Sequence, residues 1–151
     1  MAVVQATYSE NIDQARAGMI ANQETFNSIT RQIEDAAGIG FGVAVFQGVA
    51  DKGVTATAET QFVGITIRDV TLDPAREDEY AQRDSAGILT KGPIWVEVGG
   101  DVSAGDPVTL TAGEFDTGGT VEIPGAVYGT SGGEGDLVIV RLDVPVSILA
   151  T

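Results

Sequence analysis

Cysteine and histidine are both absent from the 151 residues. Without cysteine there are no disulfides and no thiolate metal sites. Without histidine there is no ordinary general base near neutral pH, and the commonest ligand for zinc, copper or iron is missing. A Ser-His-Asp arrangement around Ser85 or Ser131 is therefore excluded. A Ser–Lys pair using Lys52 or Lys91 has no motif behind it. Aromatics are scarce at 6%, with one Trp, and proline is limited to five residues. Cations number eight against 22 carboxylates, for a formal charge of −14. A surface of that sign repels polyanions, so neither nucleic acid nor an anionic membrane is an expected partner. It also keeps a protein soluble at high copy number. No window approaches the roughly 18 apolar residues of a membrane span. The opening MAVVQATYSENID has no basic n-region and no apolar h-region, so no signal peptide is expected.

Glycine, by contrast, is abundant at 20 residues, and 43% of the chain is hydrophobic. That is a globular composition built from turns and small-residue strands, and the length suits one domain with a real core. The organising stretch is IWVEVGGDVSAGDPVTL, from Ile94 to Leu110. Ile94, Val96 and Val98 alternate with Trp95 and Glu97, which reads as a strand with one buried face. Gly105 supplies positive φ in a tight turn, and Pro107 opens the next strand, where its missing N–H costs least. Trp95 points away from the buried face, either as an interface anchor or under a covering loop.

The same grammar extends in both directions. FVGITIRDV (62–70) is a strand with Val63, Ile65 and Ile67 on one face. Gly87–Thr90 and Ile94–Val98 predict a hairpin around Lys91-Gly92. Separate short strands are predicted at 121–123 and 125–130. LVIVRL (137–142) carries apolar residues on both faces, Leu137 and Ile139 opposite Val138, Val140 and Leu142, so it must be central or sandwiched between subunits. Residues 71–86 form the most charged stretch, a solvated face.

Residues 1–38 differ, with more Gln, Asn, Glu and Ala and little Gly. Ser9 could cap a short helix over Glu10–Ala17. TFNSITRQI (25–33) fits helical spacing through Phe26, Ile29 and Ile33, and strand spacing through Ile29, Arg31 and Ile33; its β-branched density favours a strand. The segment is either an extended arm that packs on a neighbour or an ordinary N-terminal layer. The chain thus divides into an N-terminal arm, 1–38, and a β domain, 39–151. The expected fold is mainly β, a small barrel or sandwich-like domain with an extended or partly helical arm.

Candidate ligand sites do not hold. Gly38 to Gly42 places three glycines before a strand, whereas a phosphate loop follows one and opens a helix. GGEGD (132–136) lacks the spacer and the stacked repeats of a calcium-binding nonapeptide. Glu77, Asp78 and Glu79 could serve glycoside hydrolysis only as converging carboxylates in an aromatic-lined cleft. No cofactor and no catalytic residue are expected.

The order of several pieces resembles the head decoration, or cement, proteins of tailed bacteriophages. The pieces are Ala17 to Ala21 (AGMIA), Ser28 to Glu34 (SITRQIE), Phe41 to Gly48 (FGVAVFQG), Phe62 to Ile65 (FVGI), Gly92 to Val96 (GPIWV) and Gly105 to Val108 (GDPV). The resemblance implies a β-rich homotrimer on the outside of an icosahedral head, bound to the major capsid protein and bridging capsomers. It implies a virion location after synthesis in the host cytoplasm, and no catalytic residues. On that reading, the partner-binding candidates are Met19, Ile20, Phe26, Ile29, Arg31, Phe41, Trp95, Leu137 and Ile139. Leu137, Ile139 and part of the arm are assigned to the trimer contact, and residues within 1–48 and Trp95 to the capsid. The rival readings are a tail, fibre or baseplate module, and a small carbohydrate-acting enzyme.

Overall fold

The structure, a computed structural model, describes residues 15–58, 60–69 and 79–143. These form eleven strands and no helix: β1 Asn27–Ile33, β2 Ile39–Gly40, β3 Ala44–Gln47, β4 Gly53–Thr55, β5 Phe62–Thr66, β6 Glu79–Tyr80, β7 Ser85–Glu97, β8 Pro107–Thr111, β9 Glu114–Asp116, β10 Val121–Tyr128 and β11 Leu137–Asp143. The helix expected over Glu10–Ala17 lies largely outside the described residues, and Ala15, Arg16 and Ala17 are not helical. Within the stretch at 25–33, Asn27–Ile33 is strand, as its β-branched residues favoured. Half of the charged run at 71–86 lies outside the described residues, and its second half holds β6 and the start of β7.

Nine strands join in the order β1-β4-β3-β5-β7-β11-β10-β8-β9, and β1 also pairs with β7. That extra pairing closes β1, β4, β3, β5 and β7 into a five-stranded barrel, with β1–β4 parallel and the other contacts antiparallel. Closure leaves the barrel no open edge. The remaining four strands curl back toward β7, where Gly99 N–H donates to Phe115 O at 2.9 Å beyond the end of the strand.

Two apolar clusters follow from this arrangement. Val45, Val54, Ala86, Ile88 and Ile33 pack together with Ile29, and Phe41 and Tyr80 of the small β2–β6 sheet region join them. Leu89, Ile65 and Phe46 turn the other way and pack with Ile94, Val96, Val138, Val140 and Tyr128 of the second sheet. Three strands of one barrel thus serve two cores. This is why β3, β5 and β7 are apolar on both sides.

The hairpin expected around Lys91-Gly92 does not form. β7 runs unbroken for 13 residues. Its pairing with β1 slips by one residue, Asn27 facing Lys91 and Ser28 facing Leu89, so Thr90 bulges. A bulge reverses the alternation of side chains. Leu89 before it and Ile94 after it therefore reach the same core despite their odd spacing. The Lys-Gly-Pro stretch that resembles a turn is the irregular half of a bulge, with Gly92 at φ +122°. A second bulge separates Phe62 and Ile65, which share a core, from Val63, which packs in the other. Residues 121–128 are one strand, not two; the register against β8 shifts between Glu122 and Val127.

One turn recurs at three strand starts. In Ala81–Asp84, Ser103–Asp106 and Gly133–Asp136, the Asp side chain accepts from the N–H three residues earlier, at 2.8, 3.0 and 2.9 Å. The residue before each Asp has positive φ: Arg83, Gly105 and Gly135. Its N–H donates to the last residues of a neighbouring strand, Ile33, Tyr128 and Val98, at 2.8, 2.7 and 2.8 Å. Those residues donate back to the Asp carbonyls at 3.0, 3.0 and 3.1 Å. Each turn thus starts one strand and secures the end of another, which satisfies backbone groups that a sheet edge would leave open.

Tyr80 is buried, and its hydroxyl donates to Ile67 O. Burial, with Asp69 and Asp84 adding, pushes its pKa up to about 12. Tyr128 shifts upward for the same main reason, burial, with Asp116 and Asp106 adding. The neutral phenol is the form the fold accepts. Its contribution is complete below the unfolded value near 10 and is lost as pH rises toward 12. Melting temperature should therefore fall steeply between pH 10 and 12. Tyr80→Phe should flatten part of that fall, at a cost of about 1 kcal/mol at pH 7 for the lost hydrogen bond.

Candidate binding surface

The second half of β7 and all of β11 pair residue by residue, in rows Glu97–Leu137, Trp95–Ile139, Pro93–Arg141 and Lys91–Asp143. Even-numbered partners such as Val96 and Val138 point into the core. The odd-numbered ones lie on the opposite face, with Pro93 buried and Trp95, Leu137 and Ile139 half-buried. On the next strand Val127 lies opposite Arg141 and is 43% exposed. Gly129, which would face Ile139 and Arg141 with a side chain, has none. The result is an outward sheet face, apolar at its centre and charged toward its ends.

The free edge of β7 along this half is taken by residues 18–21. Gly18 N–H donates to Trp95 O at 2.8 Å, Trp95 N–H to Met19 O at 2.9 Å, and Ala21 N–H to Pro93 O at 3.1 Å. With β1 farther on, residues 18–33 line one whole side of β7. This stretch of the proposed 1–38 arm belongs to the wall of the domain itself.

The candidate residues consequently have different surroundings. Met19 and Phe26 are 39% and 44% exposed. Ile20 forms a bridge to Ile94. Ile29 packs on the barrel core, and Arg31 shares its side of β1, with Nε buried and unbonded. Phe41 is buried edge-on against Tyr80, centroids 5.1 Å apart, with the Arg68 guanidinium 5.6 Å from its ring. Trp95, Leu137 and Ile139 come together on the outward face, and Met19 adjoins them through Trp95.

Two depressions flank that face. One, of about 400 Å³, is lined by Arg16, Phe41, Arg68, Glu97 and Leu137. The other, of about 260 Å³, lies among Glu24, Lys91, Gly92 and Arg141, where Arg141 Nη1 meets Glu24 Oε1 at 2.9 Å. Among the described residues no group of three or more carboxylates is disposed to hold a metal ion. Asp106 and Asp136, each next to a glycine, are occupied as turn acceptors.

Sequence reasoning passed over the β3–β4 loop. Glu34 reaches across from the end of β1 and accepts from Val49 and Ala50 N–H at 2.9 and 3.0 Å. Gln47 Nε2 donates to Ala50 O at 2.9 Å. The loop is thereby held with Val49 fully exposed at its tip. No local signal marks this, because Glu34 lies 15 residues from Val49.

Residues 4–143 match the model of a family described as structural cement protein (E217 gp24/Pam3 gp6). The chain belongs to the phage structural cement protein family. Among solved structures, a chain in the capsid of Myoviridae phage XM1 superposes with a TM-score of 0.72 at 20% identity, covering 95% of this chain and 98% of that one. The N base of head fiber gp8.5 in bacteriophage phi29 gives a TM-score of 0.51 at 14% identity, covering 79% and 95%. At these identities the two likenesses establish the fold. No curated protein matches. A structural cement protein is a capsid-associated component of the phage virion, and the outward face and pinned loop described above are the features of this cement protein that a partner could meet.

Proposed function

We propose that this cement protein binds the outer surface of an icosahedral head as a homotrimer and bridges neighbouring major capsid protein capsomers. It performs no catalysis and binds neither nucleic acid nor membrane. The observation that carries this reading is the outward β7–β11 face, whose Trp95, Leu137 and Ile139 are presented on a rigid, fully paired sheet. Large rigid apolar side chains on a flat face are what a protein contact uses. Met19 and Phe26 add exposed apolar side chains beside β7. Such a protein works by mass action: it binds the assembled shell and not its dispersed parts, so it stabilises assembly against internal pressure.

Light scattering on the purified chain should give three times the subunit mass. Co-sedimentation with expanded, empty heads should bring it down at saturable stoichiometry, and gold labelling should place it on heads rather than tails. A chain that stays in the supernatant with intact heads overturns the proposal. Removal of residues 1–14 leaves the Gly18 and Ala21 hydrogen bonds in place. Loss of head binding by that truncation, with an unchanged melting temperature, would assign those residues to the capsid contact.

A further inference from the structure

The outward face has a symmetry of its own. Trp95 and Ile139 form its middle row; Glu97 lies one row to one side, and Arg141 one row to the other. Consider a second copy laid face to face, related by a twofold axis that runs across the strands through the middle row. Trp95 then meets Trp95, Ile139 meets Ile139, and each Glu97 faces the row that carries the other copy's Arg141. The charges are complementary in that arrangement and in no face-to-face pairing that keeps like rows together. There each Glu97 would share a row with the other copy's Glu97, and each Arg141 with the other Arg141. Gly129 beside Ile139 leaves the approach flat, and Arg141 is exposed enough to exchange Glu24 for a new partner.

We infer that this face docks a second copy of the same chain through an isologous twofold contact. The assignment of a sister subunit rests on the cement-protein reading above, and it changes one part of it. A closed trimer uses heterologous contacts, whereas a twofold contact joins copies that belong to different trimers. The Trp95–Ile139 row therefore links neighbouring trimers, and the threefold contact lies elsewhere on the molecule. Lateral links of this kind turn separate decorations into a continuous net over the head.

The test uses the full-length protein, which contains no native cysteine. Ile139→Cys, treated with a short bis-maleimide in solution and on heads, should give a covalent pair of subunits. Val49→Cys, on the exposed tip of the β3–β4 loop, should not. Arg141→Glu and Glu97→Arg should each weaken the association by about tenfold or more, because each sets like charges against each other. The two changes together should restore it to near the wild-type level. Failure of the pair of changes to rescue, or cross-linking of Ile139→Cys no stronger than that of Val49→Cys, overturns the inference. Masses in multiples of three without the cross-link would leave the trimer standing and remove the twofold contact. The cross-link without such masses would do the reverse.

Discussion

Gly64→Ala is expected to destabilise the protein by about 3 kcal/mol or more, a large share of what a domain of this size has. Gly64 lies in β5 opposite Val45, between two strands that both help close the barrel. A Cβ there would sit 2.3 Å from the Leu89 carbonyl oxygen and 2.6 Å from Ile88 Cγ2. The first obstacle is backbone, and β7 is held on both sides, so neither strand can give way cheaply. β5 would have to leave β7, which opens the barrel and exposes Ile65 and Leu89 to water. Urea denaturation should show the midpoint falling sharply. Gly105→Ala provides the contrast. Its φ is +91° but no atom lies within 4 Å of the added carbon, so it should cost only the left-handed backbone penalty of about 1–2 kcal/mol. Equal losses at the two positions would refute the steric account.

Leu89→Ala and Trp95→Ala should separate stability from assembly. Both residues lie on β7, six positions apart. Leu89 is fully buried in the larger core, next to Ile65. Truncating it leaves a cavity between two walls that cannot collapse independently, at a cost of about 3–4 kcal/mol. Trp95 faces outward and is half-buried, so its truncation should cost about 1 kcal/mol of folding stability. Pairing between trimers, in solution and on heads, should nevertheless be lost with it, because a buried aromatic anchor carries a disproportionate share of an interface. Urea melts read the first quantity, and sedimentation with and without heads reads the second. A Trp95→Ala protein whose trimers pair as those of the wild type do would remove the outward face from the contact.

The expected alternation was right over short spans and went astray where a strand changed sides. Ile94, Val96 and Val98 share a face as their spacing required, and Trp95 faces away from them. Val63, Ile65 and Ile67 do not all share one, since Val63 bulges. Lys91-Gly92-Pro93 has the composition of a turn, and only pairing with β1 on one side and β11 on the other shows it to be the middle of a long strand. Of the three repeated Asp turns, the one at Gly105 was read from the sequence, and Arg-Asp-Ser and Gly-Asp-Leu stand in the same place before their strands. The strand ends they hold lie up to 50 residues away and could not be read from the chain.

What the chain determined unaided was its class and its chemistry. A chain without histidine or cysteine has no imidazole or thiolate to offer, and short β-branched runs cut by glycine favour strands over helices, because both constraints act within a few residues. Closure of the barrel, the sharing of β7 between two cores and the meeting of Trp95 with Ile139 were decided only in three dimensions. Each depends on register between segments tens of residues apart, and a shift of one residue there turns every side chain to the opposite face.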